Sequence, residues 1–205
     1  KTLEPKNGHG LQAMSIGLLM EEDTPMIWRG PMVTQALEQL LTDTNWQDVD
    51  YLIIDLPPGT GDVQLTLCQK IPVSGSVIVT TPQDISLIDA RKGLKMFEKV
   101  EVPVLGVIEN MSTHVCPKCG HAESIFGEGG GSQLATENDV KLLGELPLEK
   151  SVREEMDKGL PTVSSDPTST TSMIYREIAR KMAATLSMRK KDYSSAFPKI
   201  VIQND

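Results

Sequence analysis

Aromatic residues are scarce in this sequence: Phe, Trp and Tyr together make up 4% of 205 residues. The core must therefore rest on Leu, Ile, Val and ten Met. No apolar run approaches the roughly twenty residues that span a bilayer, and the opening "KTLEPKNGHG" lacks the form of a signal peptide. Positive charge is also short. Lys and Arg number 20 against 28 Asp and Glu, the formal net charge is −8, and no basic run exceeds Arg189, Lys190 and Lys191. That balance argues against nucleic acid or an anionic membrane surface as a partner. Cysteine is limited to three residues, too few to pair off completely. A Cys-x-x-Cys without secretory signals reads as a reduced, intracellular site, so a cytoplasmic location is expected.

What is there suits a globular chain, 39% hydrophobic and 23% charged, and long enough for one sizeable core. "AMSIGLLM" (13–20) reads as a strand, and "PMVTQALEQLLTD" sets Met32, Val33, Ala36, Leu37, Leu40 and Leu41 on one helical face. "DYLIID" (50–55), "GSVIVTT" (75–81) and "VLGVIEN" (104–110) are short apolar runs without alternation, as in strands covered on both faces. "KLLGELP" is a fourth. Helical spacing lies between them, at Val63, Leu67 and Ile71, and at Leu87, Ala90, Leu94 and Phe97. Ser151 to Lys158 reads as a short helix, and Ile174, Ile178, Met182 and Leu186 mark a long last one. Buried strands alternating with amphipathic helices predict an α/β fold, doubly wound around a largely parallel sheet. The methionines read as core filler. "GEGGGS" (127–132), "TVSSDPTSTTS" and the tail from 188 to 205 read as flexible, with "KIVIQND" able to pair onto a sheet edge or a partner.

The densest signal is "YLIIDLPPGTGD". Asp55 ends an apolar run, and in an open parallel sheet ligands sit beyond the carboxyl ends of the strands. A carboxylate there can hold a Mg²⁺-bound water, and Gly59 can bring an N–H close to a phosphate where a Cβ would obstruct it. Asp55 capping the next turn is the plainer role. The prolines and glycines that follow weigh toward a site.

"MSIGLLMEEDTPMIWRGPM", "DYLIIDLPPGTGDVQLTL", "VIVTTPQDISLIDARKGLKMF" and "VPVLGVIENMSTHVCPKCG" together resemble the Mrp/ApbC family. These are iron–sulfur cluster carriers with a P-loop ATPase fold, related to MinD and the nitrogenase iron protein. The resemblance runs from about Leu11 to Leu186. It implies that Asp55 acts on Mg²⁺ through water, that Gly59 senses the γ-phosphate of ATP, that Asn110 contacts adenine, and that Pro147 belongs to the loop lining the base. Plainer roles remain for two of them: a strand-terminal Asn often satisfies its own turn, and Pro147 can simply stop a strand.

Two family elements have no counterpart here: a lysine-bearing glycine loop of the form GKGGVGKST, and a first switch aspartate upstream of "MSIGLLM". "GEGGGSQ" has no lysine and follows no strand. The resemblance therefore implies an N-terminally incomplete P-loop domain over residues 1–187, short of about three βα units, in which ATPase activity of this chain alone is doubtful.

"HVCPKCGH" (114–121) lies in a loop placed at 111–131. A cluster or zinc centre held by cysteine normally needs four ligands, and Cys116 and Cys119 supply two. A second copy meeting the first about a two-fold axis would supply the others. The resemblance implies that arrangement, a [4Fe–4S] cluster bridging a homodimer and passed on to apo iron–sulfur client proteins. Zinc bridging two chains, a local zinc site drawing in His114 and His121, and a redox pair stay open. So does a second function class, a MinD-like regulatory ATPase that binds a partner and carries structural zinc. Cys68, among apolar neighbours, reads as a small buried hydrophobe. In "IWRGPM", Arg29 can pair with the acidic "EED" while Trp28 packs, or the segment can line a dimer face.

Overall fold

The computed structural model describes residues 2–19, 30–56, 59 and 61–189. The expectations for Trp28, Arg29, Pro57, Pro58 and "KIVIQND" fall outside the described residues. Two short strands, β1 (Lys6–Gly8) and β2 (Leu11–Ala13), form an antiparallel hairpin. A 3₁₀ turn (Ile16–Leu19) follows, then helices α1 (Gly30–Thr42) and α2 (Asp62–Lys70). Next come β3 (Ser76–Thr80), α3 (Asp84–Lys99) and β4 (Val104–Glu109). A small excursion carries β5 (His114–Val115) and β6 (Ala122–Glu123) and leads into α4 (Gly130–Glu137). The chain continues with β7 (Leu142–Glu145), α5 (Lys150–Asp157), α6 (Thr162–Ser165) and α7 (Thr170–Ser187).

Strands β3, β4 and β7 make a parallel sheet in the order β3-β4-β7. Successive residues of a strand face opposite sides, and both sides are covered here. Ile78 and Val107 point into a cluster with Leu87, Leu94, Phe97 and Leu134 from α3 and α4. Their neighbours Val77 and Ile108 point the other way, against Leu143, Ile174, Ile178 and Met182 on the α7 side. This is why the strands read as unbroken apolar runs, and it gives the expected parallel sheet flanked by helices. Cys68 is buried in the first cluster, where loss of solvent pushes its thiol pKa up, in keeping with a hydrophobic role. No helix among the described residues is long and apolar enough to cross a membrane.

Five expectations are corrected. "DYLIID" is not a buried strand: residues 51–55 are irregular, and Ile53 is 73% exposed. An isolated strand cannot satisfy its own N–H and C=O groups, and among the described residues no strand pairs with this one. In "AMSIGLLM" the strand is confined to Leu11–Ala13, and Ile16–Leu19 turn into the 3₁₀ element. Two of the three stretches read as flexible, "GEGGGS" and "TVSSDPTSTTS", enter helices instead. Gly130 and Gly131 are buried in the first turn of α4. "TVSSDPTSTTS" forms α6 and the start of α7, where the Ser169 hydroxyl accepts from the Ser172 N–H, a helix N-cap. Finally, only some methionines fill the core: Met96 is buried, whereas Met32, Met156 and Met173 are exposed.

Candidate functional site

Parallel strands end at one edge, so β3, β4 and β7 bring their last residues together. Thr80 stands beside Glu109, and Glu109 beside Glu145. Asn110 follows β4 directly. Its backbone N–H donates to the Thr80 carbonyl at 2.7 Å. Its side-chain oxygen accepts from the Met111 N–H at 3.0 Å, stabilising a turn in which Met111 takes φ +57°. The side chain thus satisfies its own turn, with the amide nitrogen left over. Pro147 lies just past β7, one strand away. The two loops are fastened together: the Ser112 N–H and hydroxyl both donate to the Leu146 carbonyl, at 3.0 and 3.1 Å, and the Leu148 N–H donates to Thr113 at 2.9 Å. Asn110 and Pro147 therefore share one edge. Asp55 and Gly59 lie apart in sequence on the segment that enters α2; both are exposed, and Gly59 takes φ +102°. Leu56, between them, packs against the first core cluster.

The cysteines sit on a hairpin built from few residues. β5 and β6 pair His114 with Glu123 and Val115 with Ala122. Beyond that ladder, the Cys116 N–H donates to the His121 carbonyl and the Gly120 N–H donates back to the Cys116 carbonyl, each at 2.9 Å. Gly120 completes the turn at φ +73°, a conformation that glycine adopts without steric cost. The turn aims the N–H groups of Lys118 and then Cys119 at the Cys116 sulfur. Those two bonds, a further one from the Cys119 side chain, and the nearby His114 hold the Cys116 thiol below the usual range. Cys116 is half-buried and Cys119 is exposed.

Neither histidine completes a local set of four ligands. His114 is engaged with backbone, its Nδ1 lying 2.9 Å from the Leu148 carbonyl oxygen. Among the described residues no group of three or more His, Cys, Asp or Glu side chains is placed to hold a metal. The hairpin is a two-thiol unit.

Two features escaped the sequence reading. Glu109, buried at the end of β4, accepts from the Gly131 N–H; its signal was a charge at the last position of an apolar strand. Gln64, buried in α2, approaches Gly59: a Cβ on that glycine would lie 3.7 Å from the Gln64 side-chain nitrogen.

Comparison with known proteins shows the family of the chain. The "Iron-sulfur cluster carrier protein" of Pseudomonas fragi is 59% identical over 87% of the chain and 62% of its own length. The protein of the same description from Escherichia coli K12 is 58% identical over 90% of the chain and 50% of its own length. The "Iron-sulfur cluster transfer protein NUBPL" of Mus musculus is 50% identical, over 90% and 58%. The chain thus spans between 50 and 62% of the length of these relatives. A structure of the nucleotide-binding protein of Archaeoglobus fulgidus in complex with ADP superposes at TM-score 0.64 and 35% identity, over 77% of this chain and 61% of that one. The cell division ATPase MinD of Pyrococcus furiosus superposes at TM-score 0.53 and 19% identity, over 76% and 59%, a likeness of fold alone. Residues 1–183 match the ParA family model described as NUBPL iron-transfer P-loop NTPase, and to that family the chain belongs.

Proposed function

We propose that this chain is the thiol-bearing part of an iron–sulfur cluster carrier. Two copies meet through their hairpins, and Cys116 and Cys119 of each hold one [4Fe–4S] cluster as cargo for apoprotein clients. The observation that carries the reading is the two-thiol hairpin itself. It presents an accessible thiol pair, one member biased toward thiolate, with no third ligand beside it among the described residues. Thiolates are the ligands such clusters take. A self-complementary pairing of two hairpins completes the four. A ligand set shared between two chains is opened by separating them, which suits cargo that must be given up.

Nucleotide enters at the other end of the same loop. Asn110 and Pro147 would face the base of ATP, the spare amide donors of Asn110 offering hydrogen bonds to a ring nitrogen. Asp55 would hold a Mg²⁺-bound water, and Gly59 would lie near the γ-phosphate. The remaining phosphate contacts call for a lysine-bearing glycine loop, which the 205 residues do not contain. No hydrolytic step is therefore assigned to this polypeptide alone. Nucleotide state, in the assembled carrier, would change how two subunits meet.

Anaerobic reconstitution with iron and sulfide tests the reading. The loaded protein should be brown, with about one four-iron cluster per two chains, and should run at twice the apo mass. Cys116→Ser and Cys119→Ser should each remove the colour and the mass change. A colourless protein filled with zinc favours a structural metal in a partner-binding ATPase. A cluster held by a single chain ends the shared-site proposal.

A further inference from the structure

Glu109 is 1% exposed, a carboxylate at the last position of β4 that neither the nucleotide edge nor the thiol pair uses. One of its oxygens accepts from the Gly131 N–H at 2.5 Å. Gly131 stands in the first turn of α4, where N–H groups have no partner within the helix. The approach requires glycine: a Cβ at position 131 would lie 2.8 Å from the Glu109 Cβ and 3.0 Å from its oxygen.

The place of this bond in the chain gives it meaning. Between Glu109 and Gly131 runs the whole excursion that bears Cys116 and Cys119. Its entry is tied to the segment after β7 by Ser112, Thr113 and His114. Among the described residues, the exit (124–131) has one hydrogen bond to the sheet, the one to Glu109. Beside it, Gly130 packs closely under Pro82 and Leu87. A buried carboxylate is a costly fastener, because its desolvation must be offset by the partners it keeps. Here it joins the strand from which the excursion departs to the helix on which it lands.

We infer that Glu109 is a positioning residue for the cysteine hairpin: through Gly131 it fixes the exit of the excursion against β4, and so sets how the two thiols are presented. The inference rests on the half-site reading given above. Since Asn110 is the next residue, the same carboxylate also connects the strand end assigned to the base with the helix beyond the thiols.

Wild type, Glu109→Ala and Glu109→Gln, each as the full chain, are compared by hydrogen exchange and by anaerobic Co²⁺ titration, read at the thiolate charge-transfer band. Loss of this buried hydrogen bond should speed exchange over 124–131 and weaken cobalt binding by about tenfold each in Glu109→Ala. The strands at 76–80 and 104–108 should exchange as in wild type. Gln, whose amide oxygen still accepts from Gly131, should restore both readouts. Wild-type behaviour of the Ala variant overturns the inference. So does a Gln variant as impaired as Ala, or a loss of protection spread evenly across the sheet. If wild type shows no cobalt band, the half-site reading fails on its own, and the exchange contrast between Ala and Gln still decides the role of Glu109.

Discussion

The imidazole Nδ1 of His114 lies 2.9 Å from the carbonyl oxygen of Leu148, so the cysteine hairpin is moored to the segment that follows β7. The histidine that flanks the first cysteine serves as an anchor, which separates its role from that of the sulfurs two and five residues on. His114→Ala should therefore leave the number of metal-bound thiolates unchanged while costing about 1 kcal/mol of stability, the net worth of one hydrogen bond. Metal stoichiometry and urea unfolding on the same variant check this. A lost equivalent of metal would make His114 a ligand.

Cys116 should react as a thiolate at lower pH than the same residue in the urea-unfolded chain. The backbone N–H of Lys118, foremost, favours the charged sulfur in the folded state. The sign follows by linkage: a depressed folded pKa contributes stability that is present above the unfolded thiol pKa and lost as pH falls through the folded one. Iodoacetamide alkylation of Cys116 followed across pH, with peptide mapping, reads the two midpoints. Coincident midpoints would show that the turn does not bias the sulfur.

The first core cluster sets the rigidity of the platform. Leu134 is fully buried there beside Val107 and Leu94. Leu134→Ala should cost about 2–5 kcal/mol, the range for a large buried side chain cut back to a methyl. A denaturant midpoint close to that of wild type would mean that α4 is not packed as described.

The 205-residue polypeptide should hydrolyse ATP negligibly. Phosphoryl transfer depends on holding phosphates in place, and no lysine-bearing glycine loop is in the sequence to hold them. Mg²⁺-dependent turnover by the purified chain that disappears in Asp55→Ala would contradict this.

How far the sequence disclosed the molecule depends on whether local pattern and environment agree. The strands at 76–80, 104–109 and 142–145 were legible because a strand covered on both faces has no reason to alternate, and α3 because its core side returns every three or four residues. Residues 51–55 misled for the same reason: an apolar run states a need for neighbours and says nothing of whether they are present. The glycines at 130 and 131 misled by composition. Bare backbone reads as freedom, yet here the missing Cβ atoms are what allow Leu87 and Glu109 to close in. The two thiols could be found from their spacing. That His114 turns to Leu148 is a tertiary fact, set by a segment more than thirty positions away.

The excursion leaves the sheet at Glu109 and ends at Gly131 in the first turn of α4, two points a single hydrogen bond apart. A segment whose ends coincide can change in length without redrawing the strands that bear it. The hairpin thus forms a cassette whose seam is an acceptor on β4 and a side-chain-free residue on α4, and whose mooring is the pair of carbonyls at Leu146 and Leu148.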